Sequence, residues 1–381
     1  MFLGAVVQRI AGQMLNLALV LFVLERFDSP SLAGTTVFTL IMPGLLVSPV
    51  AGALLDRYGR VRLMLLDYTV AALAIGLIVV LSLTGSLSPL TLLPIVGVAS
   101  LTSILTIAGF RSLFPLVVPP ALWDRVNGLD SAIYAVVAIV GPPLAAIIVS
   151  VSGGEVALLV TAAAFAIAAL IMVGVPEPPT GLQQRGRLMR QAWEGLVYVL
   201  RHPTLRALGI SISLINLGTG GLVVSVPVLI LDRIHADTAA VGPVFAAYGV
   251  AGLLSALAVG RLGSRGREQL MLVSTMVITG IGLLGMAAVT SLWQVYAIAI
   301  FIGFTTGAQD IALFGIRQRR TDPALFGRAF AVSMSLNYMG APFGSALTGV
   351  LVSQSIPLAF IVGAGFSAVA AVVTAVMIPS R

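Results

Sequence analysis

Residues 52–62 read GALLDRYGRVR, a short charged turn between two long apolar stretches. Within it, Asp56 is followed by three arginines, and glycines occupy positions 52 and 59. A second turn of the same kind, LGSRGR at 262–267, lies 207 residues after LDRYGR at 55–60 and also follows an apolar stretch. The apolar stretches on both sides of these turns decide the fold class, because each is long enough to cross a lipid bilayer as a helix.

The overall composition points to lipid as the solvent of this chain. Of its 381 residues, 59% are apolar and only 9% are charged, whereas a soluble domain carries about 25% charged residues. The mean hydropathy is +1.08. We therefore predict an all-α membrane protein, in which lipid covers most of the outer surface.

The residue inventory excludes several kinds of site. Cysteine is absent, and His202 and His235 are the only histidines, so a disulfide framework and a His/Cys metal centre are both excluded. All 21 basic residues are arginine; without lysine there is no Walker-type phosphate loop, and we expect neither ATP hydrolysis nor a cofactor. The net charge of +7 is assigned to basic cytoplasmic loops rather than to a nucleic-acid partner.

Division of the chain at charge, proline and glycine clusters predicts twelve membrane spans. They run approximately over 1–25, 33–54, 62–84, 89–111, 127–151, 156–175, 207–231, 239–260, 269–289, 294–316, 329–352 and 356–378. Residues 177–206 form a cytoplasmic linker whose second part predicts a short amphipathic helix with Trp193, Leu196, Val197 and Leu200 on one side. The linker separates an N-terminal six-helix bundle, 1–176, from a C-terminal one, 207–381.

The arginines predict the orientation in the membrane. Eighteen of them fall on the side of the linker and the chain ends, Arg26 and Arg233 fall on the other side, and Arg9 lies within the first span. Because basic loops stay in the cytoplasm, we expect both termini to be cytoplasmic, in the inner (plasma) membrane of a bacterium. We expect no cleavable signal peptide, since the apolar stretch from Met1 continues into a full span.

The two halves of the chain resemble each other. Besides the turns at 52–62 and 262–267, PALWDR at 120–125 matches PALFGR at 323–328, at an offset of 203 residues. Two matches at nearly the same offset indicate a duplicated six-span unit. Parallel halves of this kind form transporters with a substrate site between them, near the bilayer midplane.

These residues resemble the major facilitator superfamily. Its loop signature between spans two and three corresponds here to Gly52, Asp56, Arg57, Gly59 and Arg60, and the resemblance covers the whole chain. It implies two pseudo-symmetric six-helix bundles, with these five residues acting as a latch that closes the cytoplasmic side. The competing interpretation is that these charges only set the topology.

Two further stretches resemble signatures within this superfamily. Gly141 and Pro142 in span five are similar to the antiporter signature, although alanines stand at 145 and 146 where glycines are expected. The GAPFG stretch at 340–344 is most similar to the branch of drug and siderophore exporters.

Acidic residues inside spans are costly, and they are functional candidates for that reason. Asp67 and Asp130 each lie five residues from an arginine, Arg62 or Arg125, so we expect them to form ion pairs at the cytoplasmic rim. Asp310 lies deeper, and it is the candidate for proton coupling. The alternative for Asp310 is a structural ion pair with an arginine of a neighbouring loop.

Polar residues with helical spacing are candidates for the lining of the substrate cavity. Arg9, Gln13 and Asn16 share one face of span one, and that face should turn away from lipid. Three more candidates are Asn216 in span seven and Asn337 and Tyr338 in span eleven. The alternative for each is a hydrogen bond between helices, worth about 0.6 kcal/mol on average in membranes.

The sequence thus favours a secondary active transporter, and not an enzyme. We predict a monomer that exports lipophilic or amphipathic small molecules by alternating access, in exchange for protons. A proton-coupled uptake symporter for a small metabolite is the main alternative. A membrane-embedded enzyme is a remote one, because the spans contain no histidine and a single deep acid; a non-transporting sensor would need an appended soluble domain.

Overall fold

The computed structural model describes residues 2–119, 122–177, 188–322 and 325–379. Within these ranges the chain is helical and contains no strand. Helices are the expected result, because a membrane-spanning segment must satisfy its backbone hydrogen bonds internally. By the contacts between its residues the chain splits into two compact units, Met1–Asp28 with Thr35–Met189, and Ser29–Gly34 with Arg190–Arg381.

Six helices build the N-terminal half. They are α1 (Phe2–Phe27), α2 (Pro30–Tyr58), α3 (Arg60–Leu83), α4 (Pro89–Val117), α5 (Trp123–Ser152) and α6 (Gly154–Val173). Helix α1 packs against α5 and α6, while α3 packs against α4 and α6. Part of the core lies where α1, α3, α4 and α6 meet, around Met64, Tyr68, Phe110 and Met172.

The linker helix α7 (Leu188–Arg201) joins the C-terminal half. The side of α7 that packs into the second unit carries Tyr198 and Val199. Trp193, by contrast, is 64% exposed, and Leu200 is exposed as well. The predicted apolar stripe therefore includes residues that the protein leaves uncovered.

Seven helices build the rest of the C-terminal half. They are α8 (Pro203–Thr219), α9 (Leu222–Val228), α10 (Val241–Leu262), α11 (Glu268–Ala288), α12 (Leu292–Arg320), α13 (Phe326–Gln354) and α14 (Ile356–Met377). Helix α8 packs against α13 and α14, α11 packs against α12 and α14, and α10 packs against α12. Since α8, α11, α12, α13 and α14 repeat the arrangement of α1, α3, α4, α5 and α6, the two bundles are pseudo-symmetric, as predicted.

The predicted seventh span, 207–231, lies within one membrane-spanning segment, Pro203–Arg233, and the helix is interrupted inside that segment. Helix α8 ends at Thr219, and α9 begins after the glycine pair 220–221 and continues into a π-helical turn, Leu229–Arg233. A Cβ on Gly220 would lie 2.5 Å from the Ala341 carbonyl oxygen, and one on Gly221 would lie 1.9 Å from Thr348 Oγ1. The two glycines thus combine a break in the helix with close packing on α13.

The twelve-span count is approximate. In the described ranges, eleven helical segments are long and apolar enough to cross a membrane. Helix α13, at the position of the predicted eleventh span, is not among them, although it has 29 residues. The chain is therefore a multi-pass membrane protein, and its segments match the predicted spans to within a few residues at most ends.

Candidate functional site

The loop signature is built around the start of α3. Gly59 precedes the helix with φ 96° and ψ 143°, a conformation that is open almost only to glycine. The Glu177 carboxylate accepts hydrogen bonds from the backbone N–H groups of Arg60, at 2.7 Å, and of Arg62, at 3.0 Å. A carboxylate at this position satisfies free N–H groups and opposes the helix dipole.

Two of the charged residues of the signature, Asp56 and Arg60, bind each other within the first unit. Arg60 forms an ion pair with Asp56 at 2.5 Å and donates from Nε to Ser112 Oγ at 3.2 Å. Arg57 is exposed, and its guanidinium lies 5.0 Å from the Tyr58 ring centroid. Arg60 therefore links the end of α2, the start of α3 and the end of α4.

The two signature glycines have different surroundings. A Cβ on Gly59 would lie 2.8 Å from the Glu177 carboxylate, whereas one on Gly52 would meet nothing within 4 Å. At position 59 glycine is required both by the backbone angles and by the nearby Glu177 carboxylate. Gly52 is required by neither.

The degenerate copy of the signature in the second unit has the same layout with the residue types exchanged. In the first unit the loop supplies an arginine to a serine on α4; in the second, α12 supplies Arg319, which donates to Ser264 of the loop at 3.0 Å. Arg319 also forms an ion pair with Glu268, and Glu268 accepts from the N–H of Gly266 at 3.0 Å. Each loop is thus held by a carboxylate and an arginine.

A charged contact joins α1 to α5. Arg9 forms an ion pair with the Asp130 carboxylate at 2.7 Å and donates to the Asp130 carbonyl oxygen at 3.3 Å. The ring centroids of Phe110 and Tyr134 lie 5.3 and 5.8 Å from its guanidinium. Asp130 is ion-paired as predicted, but the partner comes from span one, so the prediction of Arg125 was wrong.

The second unit repeats this contact with neutral residues. Asn216 on α8 donates to the Asn337 carbonyl oxygen on α13 at 2.8 Å. Asn216 and Asn337 are 121 positions apart in the chain, which is also the separation of Arg9 and Asp130. The two units therefore place a side-chain contact at equivalent positions, and this contact is an ion pair in the first unit and a neutral hydrogen bond in the second.

The other polar residues of span one lie on the same side of α1. A Cβ on Gly141 of α5 would lie 2.5 Å from Gln13 Cβ, so this glycine lets the two helices approach each other closely. Pro142 follows it without ending α5. Asn16 is half-buried, and its Oδ1 atom has no hydrogen-bond partner among the described atoms.

Asp310 lies where α12 crosses α10. Nearby in α12, a Cβ on Gly307 would lie 2.4 Å from the Gly252 carbonyl oxygen, so the helix backbones nearly touch there. The Asp310 carboxylate is exposed and interacts electrostatically with Tyr248 of α10. Among the side chains that the structure describes, no arginine forms an ion pair with it.

Asp67 contradicts the prediction of a rim ion pair. Its side chain is 3% exposed, and its two oxygens accept from Thr102 Oγ1 at 2.8 Å and Thr106 Oγ1 at 2.5 Å. No described arginine pairs with it. The prediction considered only α3, whereas the partners come from α4.

The sequence reasoning also missed Arg317. It is fully buried, and its guanidinium lies 5.8 and 5.3 Å from the ring centroids of Phe314 and Phe330. In the amide orientation that satisfies both groups, Arg317 donates to the Asn337 side chain at 2.7 Å. Asn337 is itself buried, whereas the neighbouring Tyr338 is 55% exposed.

The described residues contain no group of three or more acidic or histidine side chains that could hold a metal ion.

Comparisons with known proteins bear on the family. The model of the Major Facilitator Superfamily matches residues 1–228 and 208–381. The uncharacterized MFS-type transporter y4rN of Sinorhizobium fredii is 37% identical over 381 residues, with 100% of this chain and 94% of the relative covered.

The multidrug efflux pump Tap of Mycobacterium tuberculosis is 26% identical over 342 residues, with 86% of this chain and 80% of that protein covered. A crystal structure of a variant of the nucleoside transporter NupG superposes with a TM-score of 0.81 at 13% identity, with 99% of this chain and 98% of that chain covered. At that identity the likeness shows the fold alone. The chain belongs to the major facilitator superfamily of membrane transporters.

Proposed function

We propose that this chain exports lipophilic or amphipathic small molecules, such as drug-like compounds or siderophores, in exchange for protons. The observation that carries the proposal is the Asp310 carboxylate, which lies within a membrane-spanning helix without a described ionic partner. An acid in that position is costly unless it binds a cation or a proton. The relationship to the multidrug efflux pump Tap supports export as the direction.

In this proposal Asp310 binds a proton in one state of the cycle and releases it in the other. Both chain ends and the linker face the cytoplasm of a bacterium, and the loop signature acts as the cytoplasmic latch. Asp56, Arg57 and Arg60 must then change partners during the cycle, since differential contacts are what separate two conformations energetically. The substrate class is inferred from the residues of the spans: a phosphate carrier needs converging basic groups, and a sugar carrier needs many hydrogen-bond donors and acceptors, and neither set stands out in the sequence. No catalytic reaction is assigned.

The test uses inverted membrane vesicles from cells that express the full chain, with ethidium as the lipophilic probe. An imposed gradient with an acidic vesicle interior should drive ethidium inward, and nigericin should abolish this uptake. Asp310→Asn should remove the gradient-driven uptake while ethidium–ethidium exchange persists. Asp237→Asn is the matched control, because Asp237 lies in a loop and caps a short 3-10 helix.

Two results would overturn the proposal. Gradient-driven uptake that survives in Asp310→Asn would remove Asp310 from the coupling mechanism. Accumulation that requires the opposite gradient, with an alkaline vesicle interior, would instead assign the chain to uptake symport.

A further inference from the structure

Asp67 is a buried carboxyl group whose described partners are all neutral. It lies in α3, within a segment apolar enough to span the membrane, and it is 3% exposed. Thr102 and Thr106, one turn apart on α4, each place a hydroxyl on one of its two oxygens. The arrangement is a closed site for a carboxyl group, since both oxygens have a partner.

Two charged groups of the neighbouring helices have partners elsewhere, and a third follows the site along α4. On α1, Arg9 is engaged by Asp130 at 2.7 Å. The one ionisable residue of α6 is Glu155, which accepts from Ser82 at the opposite end of α3. On α4 the one ionisable residue is Arg111, whose side chain lies outside the described residues; it follows Thr106 by five residues, about 7.5 Å of helix rise.

Within α3 itself, the neighbouring ionisable group is a phenol. Tyr68 is completely buried; its hydroxyl makes no hydrogen bond of normal geometry to a described atom, although the Thr106 side chain lies close enough to interact with it. It interacts electrostatically with both Asp67 and Arg9. A buried hydroxyl without a hydrogen bond is a place where a water molecule can be held.

These contacts decide which form of the acid is stable. Two neutral donors do not repay the removal of a carboxylate from water, and in such surroundings an acid takes up a proton instead. A neutral carboxylic acid can use the same two threonines, because a hydroxyl both donates and accepts. Protonation would form one O–H bond on a carboxyl oxygen with a proton from water, and Thr106 would change from donor to acceptor.

We propose that Asp67 is a second proton-binding site, in the N-terminal bundle, that is loaded and unloaded during the transport cycle. The proposal rests on proton-coupled transport as the function of this chain, and it places a proton carrier in each bundle, with Asp310 in the other. Thr102 and Thr106 hold both protonation states, so they act as positioning residues.

The test is infrared spectroscopy of the full chain, reconstituted in liposomes, titrated with pH in H2O and in D2O. The wild-type-minus-Asp67→Asn difference spectrum should contain the carbonyl stretching band of a protonated carboxylic acid, which should disappear at alkaline pH and shift in D2O; the bands of Asp310 and the other carboxyl groups cancel in this difference. Asp130→Asn is the control and should leave the band in place, because Asp130 pairs with Arg9 and not with the threonines of α4. Thr106→Val removes one donor to the ionised form, so in that variant the band should persist to a higher pH than in the wild type.

Three results would overturn the proposal. One is an Asp67→Asn difference spectrum without a carboxylic-acid band at any pH, which would mean that Asp67 stays ionised. Another is the appearance of that band only in Arg111→Gln, which would make Arg111 a permanent counter-ion. The last is loss of the band on replacing choline chloride with sodium chloride at constant pH, which would make the site a sodium site.

The infrared readout does not depend on transport, so it separates this proposal from the proposed function. If ethidium export fails while the Asp67 band titrates, the exporter assignment is wrong and the proton site stands. If export is proton-driven but no Asp67 band is found, the exporter assignment stands and the second site is wrong.

Discussion

The two glycines of the loop signature should respond in opposite ways to the same substitution. Gly59 has φ 96° and ψ 143°, and alanine at such angles costs about 1–3 kcal/mol. Its Cβ would also come within 2.8 Å of the Glu177 carboxylate and displace a group that caps α3, which costs a further ~0.5–2 kcal/mol. Gly59→Ala should therefore destabilise the protein by roughly 1.5–5 kcal/mol.

Gly52→Ala is the matched control in the same signature. Gly52 lies inside α2, and a Cβ there would meet nothing within 4 Å. Alanine in a helix interior is favoured over glycine by roughly 0.5–1 kcal/mol, so this variant should be at least as stable as the wild type. If the loop closes as a latch in another state of the cycle, ethidium transport by the stable Gly52→Ala protein should nevertheless fall.

The assay is unfolding of the purified protein in detergent micelles, with the apparent free energy taken from an SDS titration. The reasoning would be refuted if Gly59→Ala changed stability by no more than a surface substitution, about 0.5 kcal/mol. It would also be refuted if Gly52→Ala were the more damaging of the two, since that would place the tight contact at the wrong glycine.

Two further predictions concern helix contacts within one unit, and a third concerns the exposed side of α7. Arg9→Ala should destabilise the protein by about 1–3 kcal/mol, because it leaves Asp130 without its ionic partner. Asn216→Ala, at the equivalent contact of the second unit, should cost only about 0.6 kcal/mol. SDS titration of both variants measures the two losses of stability, and equal losses would contradict the prediction. Gly141→Val should separate α1 from α5 and cost about 1–3 kcal/mol by overpacking, measured in the same way, and a neutral result would contradict it. Exposed Trp193 on α7 should lie at the membrane surface, so in a protein whose other two tryptophans are replaced by phenylalanine, brominated lipids should quench its fluorescence; unquenched emission would place this side of α7 in water.

Much of the fold follows from the sequence because a bilayer imposes one simple requirement, the length of an apolar helix. That requirement located the spans and, together with the repeated arginine turns, the duplication. It did not locate the break at Gly220 and Gly221, because the average hydropathy of that segment is the same for a broken helix as for a continuous one. The only local signal was the glycine pair itself.

The candidate site was harder to predict because its contacts join residues that are far apart in the chain. Glu177 caps α3 from a position 117 residues away from Arg60, and residue 177 read as the start of a linker. For Asp67, counting residues to the nearest arginine in its own helix gave the wrong partner. The useful signal was the pair Thr102 and Thr106, which share one face of α4, but only the packing of α3 on α4 shows that this face meets Asp67.

The central claim is that this protein exchanges protons for a lipophilic substrate, and proton movement tests it most directly. The full chain would be reconstituted in liposomes that contain a pH indicator, without an imposed gradient, and ethidium would be added outside. The account predicts that ethidium entry drives protons out, so that the interior becomes alkaline, and that Asp310→Asn abolishes this signal. An interior that becomes acidic as ethidium enters would show symport, and it would contradict the account.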